Sequence, residues 1–186
     1  MPPITSTAPN FTLDEFQRVS NVTLDAGMVN HARWHANMLQ KARDAVNDVY
    51  PGGDWRIGLT SYIRSASGGD HATGAGLDWN VRDRTGKRND SLTRWARDWL
   101  ALNHPSEFAE LIYEPGFSEG TAAHVHHARR GFSKDADANR NPQILDEVSE
   151  GNFVVANILP FPRQVNITLA AIIGIALLAL LWRSPA

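Results

Sequence analysis

Between Ala26 and Val49, Met28, Trp34, Met38, Leu39, Ala42 and Val46 recur at three- and four-residue steps. That period predicts an amphipathic helix with one stripe turned to a core. Pro51-Gly52-Gly53-Asp54 ends it. Trp55 to Ile63 then alternates apolar and polar residues, as a half-buried strand does. The glycine-rich run from Ser65 to Gly76 reads as a loop that re-enters a strand at Leu77 to Val81. After a turn at Asp83 to Gly86, Ser91 to Leu102 returns to helical spacing, with Leu92, Trp95, Ala96, Trp99 and Leu100 facing inward. Phe108 to Tyr113 and His124 to Ala128 read as two further short strands, the first ended by Pro115-Gly116. Upstream, Thr12 can cap a short helix, with Glu15 at the capping-box position. The expected domain covers residues 11–132 and is α+β: helices packed on a small, mostly antiparallel sheet. Residues 1–10, rich in Pro and Thr, read as a flexible lead-in.

From 133 to 164 the pattern becomes polar and turn-rich, which predicts a linker with a short helix at Ile144 to Val148. The last stretch differs again. Ile167 to Trp182 carries no charge, is bracketed by Arg163 and Arg183, and ends on a tryptophan suited to an interface. Sixteen helical residues extend about 24 Å, and including Val165 and Asn166 brings the segment close to a bilayer span. A transmembrane helix over 165–183 is therefore expected, with lipid as its partner. One arginine on each side leaves its orientation open.

Composition narrows the classes. The formal charge of the 186 residues is -2, so the basic excess that nucleic-acid binding needs is missing. There is no cysteine, which removes disulfides, thiolate nucleophiles and thiolate zinc sites together. Any metal must then be held by His, Asp or Glu, which suits a catalytic centre better than a structural one. Met1 to Thr5 has neither the basic nor the apolar region of an export signal, so none is expected. Nothing in the pattern sets an oligomeric state.

Two segments carry the chemistry. His71 and Asp78 are joined by a connection containing Gly74 and Gly76, which lets a loop histidine and a strand aspartate converge. His124-Val125-His126-His127 follows in a strand, where alternation puts His124 and His126 on one face and His127 on the other. His71, Asp78 and His126 form a set that zinc accepts at about 2.0–2.2 Å, with a fourth position left for water. Spacing alone leaves ordinary surface and core histidines open as the alternative. His31, His35 and His104 read as surface or packing residues.

Leu59-Thr60-Ser61-Tyr62-Ile63-Arg64-Ser65, followed by His71-Ala72-Thr73-Gly74-Ala75-Gly76-Leu77-Asp78, resembles the signature of the zinc D,D-peptidases: Ser-x-x-Arg-Ser, then His-x-x-Gly-x-Ala/Gly-x-Asp. That family includes D-Ala-D-Ala carboxypeptidases and phage endolysin-type peptidoglycan peptidases. Phe11 to Phe16 resembles its opening helix. Phe108 to Glu114, His124-Val125-His126 and Ala128 to Phe132 resemble its closing strands. The resemblance implies a Hedgehog/DD-peptidase-like fold in which His71, Asp78 and His126 hold Zn2+ and Arg64 binds a carboxylate or carbonyl of the peptide or steadies the site. Several branches place a glutamate base three residues before the last ligand, where this chain has Ala123, and many have a serine where it has Gly69. His124 is then the candidate acid/base, with Glu114 and Glu119 in reserve. The implied substrates are peptidoglycan stem peptides or cross-bridges. The implied setting is a domain anchored in a bacterial envelope or a virion membrane, with a phage origin. The rival expectation is an idle zinc-binding module or a structural virion protein.

Overall fold

The computed structural model describes residues 2–65, 68–115 and 122–141. The expected helix at Ile144 to Val148, the span at 165–183 and Glu119 lie outside the described residues. Among the described residues no helix is long and apolar enough to cross a membrane.

Helix α1 (Leu13–Arg18) opens where Glu15 accepts from the Thr12 backbone N–H at 2.7 Å and from its hydroxyl at 3.1 Å. Helix α2 (Ala26–Val49) is capped by Asp25, whose carboxylate accepts from the Met28 N–H at 2.8 Å. Ala32, His35, Ala36, Leu39, Ala42 and Val46 form its buried stripe. Helix α3 (Asp90–Asn103) starts at Asn89, whose side chain accepts from the Leu92 N–H at 3.0 Å.

Four strands, β1 (Arg56–Ser61), β2 (Gly76–Arg82), β3 (Phe108–Glu114) and β4 (His124–Arg129), make one antiparallel sheet in the order β1-β2-β4-β3. The domain is thus α+β with a small antiparallel sheet. In β2, Leu77, Trp79 and Val81 are fully buried in the cluster that also holds Leu39, Val46, Leu100, Leu111 and Val125. The period of two sends Gly76, Asp78 and Asn80 to the opposite face. The Val81 N–H donates to the Thr93 hydroxyl at 2.9 Å and fastens α3 to β2. Trp79 fills the centre, while Trp34, Trp55, Trp95 and Trp99 are half-buried at the rim.

Ordered structure continues past Phe132. Asp135 caps a short helix α4 (Ala136–Arg140) by accepting from the Asp137 and Ala138 N–H groups at 2.9 and 3.2 Å. Ala138 packs on Ala109 of β3 and Ala128 of β4. Asn139 ties the turn together, donating to the Ser133 carbonyl at 2.8 Å and accepting from the Gly131 N–H at 2.6 Å. The first part of the stretch read as linker therefore forms a docked turn and helix, held by small side chains and Asn/Asp caps rather than by an apolar stripe.

Candidate metal centre

The sheet's centre is the pair β2–β4, and its register sets Asp78 directly opposite His126. His71 arrives from a single 3-10 turn, Asp70–Ala72, which follows Gly69 at φ 96°. Three glycine-dependent features bring that turn to the sheet. Gly69 and Gly74 both take positive φ, and a Cβ on Gly74 would stand 2.9 Å from the Tyr62 hydroxyl. A Cβ on Gly76 would lie 2.9 Å from Asp70 Cβ and 3.2 Å from His126 Cε1, so the turn and the strand can only meet over a bare α-carbon.

The side chains converge. His71 Nε2 lies 3.1 Å and His126 Nδ1 lies 2.8 Å from the same oxygen, Asp78 Oδ1. The ligand atoms of His71, Asp78 and His126 all fall within 4.8 Å of one another. Asp78 Oδ2 faces Arg64 Nη2 at 3.6 Å, with the Arg64 side chain half-exposed. His71 and Asp78 are buried, and His126 is half-buried.

The cluster holds fewer hydrogens than its acceptors can take. His71 Nδ1–H donates to the Tyr62 carbonyl at 2.5 Å, so in a neutral ring Nε2 carries a lone pair. That lone pair points at a carboxylate oxygen, itself an acceptor. His126 has acceptors at both edges, Asp78 at Nδ1 and Glu110 Oε2 at 3.3 Å from Nε2, while a neutral imidazole has one N–H. The cluster is short of positive charge. Protons can supply it: although burial disfavours a charged ring, hydrogen bonds to Asp78 and Glu110 outweigh that and raise the His126 pKa to about 9. Burial likewise opposes ionisation of Asp78, yet the hydrogen bonds from His126 and His71 hold its carboxyl well below the usual range. A divalent cation supplies the same charge at one point. Tetrahedral ligands at about 2.0–2.2 Å from an ion sit about 3.3–3.6 Å apart, so the observed 2.8 and 3.1 Å need open by less than about 1 Å. The residues fit a metal ion.

Other candidates lie around this centre. His124 shares the face of His126, two residues away, and is outside the close grouping. Its Nδ1–H donates to the Ala122 carbonyl at 2.9 Å and its Nε2 lies 3.3 Å from Glu114 Oε2. Ala123, at the position where a glutamate base is common in the resembled family, is buried. Two carboxylates that the sequence reading did not single out stand beside His126. Glu110 and Asp70 form, with His126, a second grouping whose ligand atoms lie within 4.8 Å. The signal for Glu110 is a glutamate inside the apolar strand FAELIY, on the same strand face as Glu114.

His127 points through the sheet into the core. Trp79 Nε1–H donates to His127 Nδ1 at 3.1 Å. His127 Nε2 and His35 Nδ1 are 2.6 Å apart, and His35 Nε2 lies 2.9 Å from the Gly74 carbonyl. With both rings neutral every hydrogen in this series has an acceptor: Trp79 to His127, His127 to His35, His35 to Gly74. Burial drives both histidine pKa values down, that of His35 to about 3. The series ties α2 and β4 to the connection that carries His71. His31 packs edge-on against Phe132, and His104 against Trp99.

Comparisons of the chain with protein-family models, with curated proteins and with solved structures find no match.

Proposed function

We propose that the chain is a zinc-dependent peptidase of peptidoglycan stem peptides or cross-bridges, Hedgehog/DD-peptidase-like in fold and tethered to a membrane through Ile167 to Trp182. The observation that carries the reading is the meeting of His71 Nε2, Asp78 Oδ1 and His126 Nδ1, three ligand atoms with too few hydrogens for their acceptors. The resemblance of the segments around Arg64, His71, Asp78 and His126 to the zinc D,D-peptidases supplies the substrate class. Zinc, when bound, contributes an acidified water and a polarised carbonyl.

The chain's own residues divide the remaining work. His71, Asp78 and His126 hold the ion. Arg64, half-exposed beside the Asp78 carboxylate, presents a guanidinium suited to a carboxylate or carbonyl of the substrate. His124, next along the same strand face, takes the acid/base role: the Ala122 carbonyl holds its Nδ1–H, and Glu114, 3.3 Å from Nε2, steadies the ring once it is protonated. The setting that accords with a domain followed by an uncharged C-terminal stretch is a phage lysis factor or a protein of a membrane-containing virion or bacterial envelope.

Zymography on purified cell walls tests the reading. Clearing by the full chain that is lost in chelator and restored by zinc supports it. Zinc binding without clearing overturns the enzyme and leaves an idle zinc-binding module. Deleting Ile167 to Ala186 is expected to release the protein from membranes, and retention in the membrane fraction would refute the anchor.

A further inference from the structure

We propose that Glu110 is the positioning residue of the metal centre: it receives the Nε2–H of His126 and thereby turns the Nδ1 lone pair of that ring toward His71 and Asp78. The inference rests on the metal-binding reading of that cluster and adds a residue to it.

The placement follows from strand register. Glu110 pairs with Ala128 across β3–β4, and Ile112 pairs with His126. Glu110 and His126 are therefore diagonal neighbours on the same sheet face, a spacing that a glutamate and an imidazole span. Their approach is 3.3 Å, and both side chains are less than one-fifth exposed. Water competes weakly for either group there.

A carboxylate at the outer nitrogen of a metal-bound histidine fixes its tautomer, holds the ring plane and makes the inner nitrogen a better donor to the ion. His71 has its own device of this kind, since the Tyr62 carbonyl takes its Nδ1–H and leaves Nε2 for the ion. Glu110 completes the symmetry by doing for His126 what the Tyr62 carbonyl does for His71. Asp70 stands nearby, but its Oδ1 already accepts the Lys134 N–H at 2.7 Å. Its part is to hold the start of the α4 segment against the turn that carries His71.

Two other roles for Glu110 meet physical objections. As a ligand it would join Asp70 and His126 in the second grouping. That grouping needs a lone pair on His126 Nε2, whereas an ion among His71, Asp78 and His126 uses the only lone pair of the neutral ring at Nδ1. As the proton carrier of the reaction it would have to act from the far edge of the His126 ring, with the imidazole between it and the Asp78 oxygen.

The test compares the full chain with Glu110→Ala and Glu110→Gln by zinc affinity in competition with a chelator, by zinc stoichiometry, and by the visible spectrum of the cobalt-substituted protein. Glu110→Ala is expected to bind zinc about 10–100-fold more weakly with an altered cobalt spectrum. Glu110→Gln, which keeps an acceptor oxygen, is expected to recover most of the affinity. A thermal melt in chelator checks that both variants fold. Wild-type affinity and spectrum in Glu110→Ala would overturn the inference while leaving the metal centre intact. Two zinc ions per chain, one lost on Glu110→Ala, would overturn it by making Glu110 a ligand. Full affinity in Glu110→Gln with cell-wall clearing abolished would overturn it by making Glu110 the proton carrier. If the unaltered chain takes up no zinc, this inference and the reading beneath it fall together.

Discussion

His126 and His127 are adjacent in sequence and opposite in circumstance. His127 looks into the core, where Trp79, His35 and the Gly74 carbonyl give each hydrogen one acceptor and each acceptor one hydrogen. His126 looks out of the other face, where Asp78, Glu110 and the lone pair of His71 outnumber the hydrogens of neutral rings. The balanced set is complete by itself and serves as a strut. The unbalanced set is complete only with an added positive charge, and that makes it the candidate centre. Burial alone would have ranked them wrongly, because His35 and His127 are the more buried of the histidines.

The contrast can be broken at either side. The largest effect is expected at the unbalanced side: His71→Ala should weaken zinc binding by more than about 100-fold, since losing an outer-sphere partner alone costs about 10–100-fold. Its stability in chelator should fall by only about 1–3 kcal/mol, because the Tyr62 carbonyl loses its donor, and a larger loss measured by urea unfolding would show that His71 is chiefly structural.

On the balanced side the pattern reverses. His35→Ala removes an acceptor for His127 and a donor for Gly74 in a dry interior. At about 1–3 kcal/mol for each orphaned group, with a cavity added, the loss of stability should be about 3–5 kcal/mol. Urea unfolding measures it, and a loss below about 1 kcal/mol would mean that the series is not a strut. Zinc affinity per folded molecule should change far less than in His71→Ala.

Acid provides a graded version of the same break. An unfolded histidine titrates near its ordinary value of 6.5, whereas burial, only partly offset by the Gly74 hydrogen bond, holds folded His35 near 3. Between those values the unfolded chain binds the extra proton, so the folded state loses ground as pH falls. The slope from His35 is about 1.4 kcal/mol per pH unit from 6.5 downward, with no contribution from this residue above about pH 7. Unfolding midpoints in chelator at pH 7, 6 and 5 should show the decline, and His35→Ala should lessen it, with the remainder coming from His127, which burial holds down in the same way.

The smallest effect belongs to Arg64. A pair at 3.6 Å whose cation is half-exposed contributes about 0–1 kcal/mol, so Arg64→Ala should melt almost as the unaltered chain does. Its consequence is expected in substrate binding, as a raised KM in a cell-wall assay. Unchanged kinetics would remove Arg64 from the site.

How much of this was readable in advance follows from the range of each interaction. Helices α2 and α3 and all four strands announce themselves through local periods of 3.6 and 2, because their faces are set by near neighbours. Alternation within a strand also separates His126 from His127 without any tertiary information. The partner of each is another matter. His35 lies on the buried stripe of α2, but its hydrogen-bond partner stands 92 residues away and no period encodes that. Glu110 acquires meaning only through the β3–β4 register, which depends on how two strands align across a connection that includes residues 116–121. Helix α4 escapes a hydrophobicity reading because it is anchored by one alanine and by side-chain caps.

The strand order has a kinetic consequence. Asp78 and His126 meet only when β2 and β4 pair, across 48 residues of chain, and each of these strands must also accept a further strand on its other edge. Long-range pairing of this kind is completed late in folding, after loop-closure entropy has been overcome. An ion that needs both residues therefore has little to grip in the unfolded chain or the early transition state. Metal should leave the refolding rate almost unchanged and slow unfolding instead, so that its protection would be measured as lifetime rather than as speed of assembly.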